Sequence, residues 1–186
     1  MSQPAARGAS YEEVLATPLH LVAEVVQGVL YQSPRPSTPH ALAASALGEE
    51  LGPPFKRGRG GPGGWVILDE PELHLDDHIL VPDLVGWRRE RLPEVPDAPY
   101  LTLAPDWICE VLSPSTRALD RGAKLGVYGS FHVAYIWLVE PLDRLLEVLR
   151  LDGDSYRIVG SATGNERVRF KPFDAIELEL TVLWAR

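Results

Sequence analysis

Residues 107–112 have the sequence WICEVL, in which one glutamate, Glu110, interrupts an apolar run. A run that is apolar at successive positions is typical of a strand buried on both faces of a sheet. An unpaired carboxylate in that environment costs several kcal/mol or stays protonated. The run therefore predicts that Glu110 has a partner of opposite charge. The alternative is a glutamate at the strand end whose carboxylate reaches solvent or an arginine.

Asp83 is a second acidic residue within an apolar stretch, HILVPDLVGWRR (residues 78–89), which predicts another strand. Proline has no backbone N–H to donate, so Pro82 is expected at a sheet edge or a bulge, and bulges re-aim side chains. The alternative is an ordinary Pro-Asp turn, because the same dipeptide recurs at Pro96-Asp97 and Pro105-Asp106.

Two carboxylates on neighbouring strands can hold a hard divalent cation such as Mg²⁺, which keeps several waters and takes few protein ligands. A nearby lysine would stabilise the negative charge that develops in phosphoryl chemistry. Lys124 is the candidate, because the stretch SPSTRALDRGAKLGVYGSF (residues 113–131) predicts a helix on which Asp120, Lys124 and Tyr128 share one face. The alternative is a surface Asp–Lys pair of little energetic consequence.

Several segments together resemble one known family. They are AEVVQGVLYQSP (23–34), His40 at the start of a helix, PDLV (82–85), ICEVLSPST (108–116), DRGAKLGVYGSF (120–131) and AYIWLVEP (134–141). In this order they are similar to the Uma-two family of restriction endonucleases, within the wider PD-(D/E)XK nuclease superfamily. The resemblance implies an α/β fold of the restriction-endonuclease-like type, a mixed β-sheet flanked by helices with additional β-hairpins.

The same resemblance implies the roles of individual residues. Asp83 and Glu110 would be the metal-binding acids, and Lys124 the catalytic lysine, moved from the strand to the following helix. Glu24, His40 and Tyr128 would be accessory residues. Leu112 stands two positions after Glu110, so the E-x-K of the superfamily is absent. The implied function is a metal-dependent endonuclease that hydrolyses DNA with Mg²⁺ or Mn²⁺. The alternative is a non-catalytic binding or regulatory module that forms homo-oligomers.

The remaining elements follow from capping and turn signals. Ser10 and Glu13 have capping-box spacing before a short helix over residues 11–16, and residues 40–51 predict a second helix that ends at Gly52. Hairpins are expected at Gln27-Gly28 and Asp152-Gly153, a strand over 133–141, and a strand or short helix in the tail FDAIELELTVLW. We expect one domain over residues 10–186, preceded by a flexible N-terminus over residues 1–9.

Composition limits the partners and the compartment. The net charge is −8 and the pI is near 5.1, which argues against a general nucleic-acid coat. A local basic patch from Lys56, Arg57 and Arg59, or from Arg88, Arg89 and Arg91, could still contact phosphate. One cysteine, Cys109, and no apolar run of about 18 residues predict a cytoplasmic protein without a membrane span. Apolar segments such as AYIWLVEP leave room for a homodimer interface.

Overall fold

The computed structural model describes residues 8–184. Its helices are α1 Tyr11–Leu15, α2 Thr38–Leu51, α3 Arg117–Asp120 and α4 Ala123–Ser130. In chain order, its strands are β1 Leu21–Val26, β2 Val29–Pro34, β3 Trp65–Asp69, β4 Leu73–Leu75, β5 His78–Leu80, β6 Leu84–Arg88, β7 Trp107–Val111, β8 Tyr135–Glu140, β9 Leu145–Asp152, β10 Ser155–Thr163, β11 Arg167–Val168 and β12 Leu178–Glu179. The flexible N-terminus predicted over residues 1–9 falls mainly on residues 1–7, which lie outside the described residues.

The central sheet is mixed and has the strand order β10-β9-β8-β7-β6-β3. Strands β7 and β8 are parallel, and α3 and α4 form the crossover between them, while the other pairs are antiparallel. This arrangement places the predicted Glu110 strand in the middle of the sheet, where all five of its residues are buried. No helix among residues 8–184 has the length and apolar character needed to span a bilayer.

The two faces of β7 pack against different layers. Trp107, Cys109 and Val111 face one core, which includes the apolar side of α2. Ile108 points the other way, into a core that includes Val127 and Tyr128 of α4. Because side chains alternate along a strand, Glu110 lies on the α4 face, and Cys109 is a core residue on the opposite face.

A smaller antiparallel sheet has the order β2-β1-β5-β4. The predicted hairpin is confirmed: Gln27 and Gly28 form its turn with φ of 53° and 77°, the positive values that a two-residue type I′ turn requires. The predicted single strand over residues 78–89 is wrong. The chain leaves the small sheet after Leu80 and enters the central sheet at Leu84, so Val81, Pro82 and Asp83 connect the two sheets.

One helix prediction also needs correction. The helix expected over residues 113–131 is divided into α3 and α4 at Gly122, where an added Cβ would lie 2.7 Å from the carbonyl oxygen of Ala118. Helix α2 ends at Leu51 with Gly52 as its C-cap, as predicted, and one π-helical turn follows over Gly52–Lys56. The tail contains both of the predicted alternatives, the short strand β12 followed by a 3₁₀ turn at Leu180–Leu183.

Candidate active site

The passage between the two sheets places Asp83 beside Glu110. Leu84 of β6 is paired with Cys109 of β7 in an antiparallel register, so continuing that register by one residue sets Asp83 opposite Glu110. The Asp83 carboxylate accepts a hydrogen bond from the backbone N–H of Val111 at 2.7 Å, which extends the ladder through a side chain. Asp83 contacts His40 of α2 on its other oxygen, whereas Glu110 contacts Lys124 and Tyr128 of α4.

Glu110 is 2% exposed and has two close partners. Its Oε1 accepts a hydrogen bond from the Tyr128 hydroxyl at 2.5 Å and lies 2.9 Å from the Lys124 ammonium. Burial raises the pKa of Glu110 well above its usual value, and the charges of Asp120, Asp83 and Glu24 raise it further although Lys124 lowers it. A raised pKa means that these surroundings favour the protonated form of Glu110 in spite of the positive charge of Lys124.

Lys124 is also 2% exposed, and its ammonium lies among three carboxylates. The Nζ atom is 2.9 Å from Glu24 Oε1, 2.9 Å from Glu110 Oε1 and 3.2 Å from Asp120 Oδ1. Burial alone would lower the pKa of Lys124, but Glu110 and Glu24 raise it well above the usual value. Lys124 is consequently a charged side chain whose amine contacts Glu110, one of the two predicted metal-binding acids.

Glu24 connects the small sheet to this cluster. It lies on β1, and its Oε1 accepts both the Lys124 ammonium and the backbone N–H of Val81 at 2.9 Å. Val81 belongs to the connection between the sheets, so one carboxylate oxygen links β1, that connection and α4.

His40 approaches from the first turn of α2 and contacts Asp83. Its Nε2 lies 2.5 Å from Asp83 Oδ1, and its buried Nδ1 has no hydrogen-bond partner among residues 8–184. Burial alone would lower the pKa of His40, but the hydrogen bond and charge of Asp83, with a smaller contribution from Glu70, raise it above the ordinary value. The histidine therefore holds one oxygen of Asp83 while Val111 holds the other.

Sequence reasoning missed two acids at this site. Asp120 was considered only as a helix neighbour of Lys124, yet it is 3% exposed and its pKa is raised, chiefly by burial. Glu70 follows β3 in a left-handed conformation with φ of 45°, and its backbone N–H donates to the carbonyl of Asp83 at 3.0 Å. The i,i+4 spacing to Lys124 could have indicated Asp120, whereas no local pattern indicates Glu70.

These side chains line one cavity of about 270 Å³. Its walls also include the β2–α2 connection and the segment after β7, through the residues Ser33, Pro34, Arg35, Pro36, Ser37, Ser113, Pro114, Ser115 and Thr116. The expected basic patches are elsewhere, since none of Lys56, Arg57, Arg59, Arg88, Arg89 and Arg91 lines the cavity. Arg88, for example, lies 4.2 Å above the Trp65 ring.

A hard cation such as Mg²⁺ takes few protein ligands and keeps several waters. Among residues 8–184, no three or more histidine, cysteine, aspartate or glutamate side chains are grouped as metal ligands. Asp83 and Glu110, the two predicted ligands, would hold such a cation together with water. Each carboxylate oxygen carries two lone pairs, so the hydrogen bonds already described do not exhaust them.

A model of one protein family, described as "Uma2: Putative restriction endonuclease", matches residues 11–182. The chain belongs to the Uma2 family. Membership indicates a nuclease of the restriction-endonuclease-like class, which acts on nucleic acid and generally uses divalent metal ions. The resemblance on which the sequence-based assignment rests is thereby confirmed.

A solved structure supports the fold of this Uma2 protein. It is that of "a putative nuclease belonging to DUF820 from Anabaena variabilis ATCC 29413", with a TM-score of 0.75 and 21% identity. The alignment covers 94% of this chain and 97% of that chain. The predicted restriction-endonuclease-like α/β fold is confirmed. No curated protein matches the sequence.

Proposed function

We propose that this Uma2 protein hydrolyses phosphodiester bonds in DNA, with Mg²⁺ or Mn²⁺ held by Asp83 and Glu110. One observation carries the proposal: Asp83, just before β6, and Glu110 of β7 line the same cavity, and the Lys124 ammonium lies 2.9 Å from Glu110. The local charge supports it, because the acids that line the cavity outnumber the cations: they are Glu24, Glu70, Asp83, Glu110 and Asp120, against Arg35, His40 and Lys124. A divalent cation would offset that excess.

The roles of the side chains follow from their contacts. When bound, the divalent ion polarises a phosphoryl oxygen and lowers the pKa of a water. Lys124 supplies a fixed positive charge for the negative charge that develops on the phosphoryl group. Glu24 and Asp120 hold its ammonium in place, and Tyr128 orients the Glu110 carboxylate through a hydrogen bond. His40 orients Asp83.

The test measures Mn²⁺-dependent cleavage of plasmid and oligonucleotide DNA by the wild type, Asp83→Asn and Glu110→Gln. We expect each variant to lose at least about a hundredfold in rate and to bind Mn²⁺ more weakly by calorimetry, since metal affinity depends on both ligands. Asp97→Asn is the matched control, because Asp97 also follows a proline but is exposed in a loop. Equal cleavage rates for all four proteins would refute the proposal.

A second candidate function is a non-catalytic, homo-oligomeric binding module. The observation in its favour is that the Lys124 ammonium already contacts three acids, so the cluster is partly neutralised without a metal. Binding of DNA in the presence of a chelator, a homo-oligomer by light scattering and the absence of turnover with Mn²⁺ would together favour the module. Turnover that depends on Glu110 would eliminate it.

A further inference from the structure

We infer that the cavity takes an unpaired DNA strand, and that Arg35 is the residue that contacts its phosphate. This inference rests on the proposed function and specifies the substrate class of the same site. Three features of the cavity support it.

The first feature is depth. Glu110 and Lys124 are each 2% exposed, and they line a cavity of about 270 Å³ together with residues 33–37 and 113–116. Duplex DNA is stiff over about 150 base pairs, so bringing one of its phosphates to such buried side chains requires costly deformation. A single strand bends freely, and enzymes that modify a base in a snug pocket likewise take single strands or extruded nucleotides.

The second feature is the small number of available cations. Among the residues described, the positively charged side chains that line the cavity are Arg35, His40 and Lys124. Lys124 and His40 are buried and engaged by carboxylates, which leaves Arg35 as the exposed one. Proteins that grip a duplex neutralise many phosphates with lysine and arginine. At this cavity, the described residues of a chain of net charge −8 offer one exposed cation for such contacts.

The third feature is the arrangement of Arg35 itself. Its Nε and Nη2 donate to the carbonyl oxygen of Leu19 at 3.4 and 3.2 Å, which fixes the side chain. A guanidinium has five N–H donors, so the others remain for a phosphate. No carboxylate of residues 8–184 forms an ion pair with Arg35. Ser33, Ser37 and Ser115 also line the cavity, and serine hydroxyls can donate hydrogen bonds to further phosphate oxygens of the DNA strand.

The charge count gives a quantitative expectation. For single strands, log K falls with log salt by about 0.7 for each phosphate neutralised. With one contact at Arg35, affinity should fall about threefold between 50 and 200 mM salt, against roughly 10³–10⁵-fold for a protein with six to ten phosphate contacts.

The experiment compares a labelled 20-nucleotide single strand with the corresponding duplex. Binding is followed by fluorescence anisotropy in a chelator, and cleavage is followed with Mn²⁺, each at 50 and 200 mM salt. We expect the single strand to bind and react at least tenfold better than the duplex. Arg35→Gln should weaken single-strand binding about tenfold or more and flatten the salt dependence, because hydrogen bonds to charged groups are strong. Arg35→Lys should recover part of the loss.

Arg59→Gln is the matched control, since Arg59 is exposed but does not line the cavity. A duplex that is bound and cleaved as well as the single strand, or an Arg35→Gln variant that behaves like Arg59→Gln, would overturn the inference while leaving the nuclease function intact. Cleavage of neither substrate would instead overturn the proposed function, and single-strand binding in the chelator would then still support Arg35 as the strand contact.

Discussion

Lys124 is the residue on which the electrostatics of the cavity depends. It is a buried cation in contact with three buried acids, and removing one partner of a buried ion pair leaves charge uncompensated. The energetic contribution of the lysine is therefore largely the avoidance of repulsion among Glu24, Glu110 and Asp120. Whether this cluster serves folding or catalysis is decided by comparing stability with activity.

Lys124→Met should lower the free energy of unfolding by about 3–5 kcal/mol at pH 8. The loss should be smaller at pH 5, because buried acids whose pKa is raised bind protons in the folded state and lose stability as pH rises through that pKa. Urea denaturation at the two pH values measures both quantities. Lys56→Met is the control, since Lys56 is exposed. Equal losses of unfolding free energy for the two variants would show that repulsion among the buried acids does not contribute to stability.

His40 offers a second test of local charge. Its pKa is raised in the folded protein, so its contribution to stability is fully present below its unfolded pKa of about 6.5 and is lost as pH rises through the folded value. Between pH 5.5 and pH 9, the stability difference between the wild type and His40→Gln should therefore shrink. Urea unfolding at both pH values measures this, with the exposed His20→Gln as control. A difference independent of pH would contradict it.

Some residues of the candidate site could be predicted, because charged residues within apolar segments of the sequence are unusual. Glu110 and Asp83 interrupt apolar runs, and Lys124 follows at helical spacing. Glu24 and His40 came from the family resemblance, since nothing local distinguishes them. Glu70 could not be predicted, because it reaches the cavity through a left-handed backbone conformation and a hydrogen bond to Asp83, both of which depend on tertiary structure.

The ends of strands β6 and β7 show a structural role for Asp83, beside its proposed role as a metal ligand. The central pairing ends at Leu84, and beyond it the Asp83 carboxylate, not a backbone carbonyl, accepts the N–H of Val111. The sequence predicted one strand through Pro82, because the apolar run is continuous. It did not predict that the chain changes sheet, because this depends on tertiary pairing: β5 pairs with β1 and β4, whereas β6 pairs with β3 and β7. For the same reason, the sequence did not predict that the helix is divided into α3 and α4 at Gly122.

Replacing Asp83 should separate these two roles. Asp83→Ala leaves the buried Val111 N–H without an acceptor, which costs about 1–3 kcal/mol, whereas Asp83→Asn keeps an oxygen there and should cost less. Urea denaturation measures the difference, and hydrogen exchange of the Val111 amide locates it. Activity should be lost in both variants. If the Val111 amide exchanges equally fast in both, the ladder does not depend on the side chain at position 83.

In the molecule as a whole, the two larger of its three sheets meet at the cavity, and Glu24 is a contact that they share. Its Oε1 contacts Lys124 of α4, which packs on the central sheet, and accepts the N–H of Val81 in the connection between the two sheets. Its backbone belongs to β1 of the small sheet. The cavity therefore depends on contacts that hold the two sheets together. If residues 10–186 form the expected single domain, these contacts should make the two sheets unfold cooperatively.

Glu24→Ala should loosen the small sheet selectively. We expect amides of β1 and β5 to exchange about 10–100-fold faster, while those of β7 and β8 change little, because local opening depends on the contacts a unit makes with the rest of the protein. Native-state hydrogen exchange resolves the strands separately. Glu49→Ala is the matched control, as Glu49 is exposed on α2. Uniform acceleration in both sheets would mean that Glu24 stabilises the whole domain and not the junction, and the small sheet would then be fixed by its apolar contacts alone.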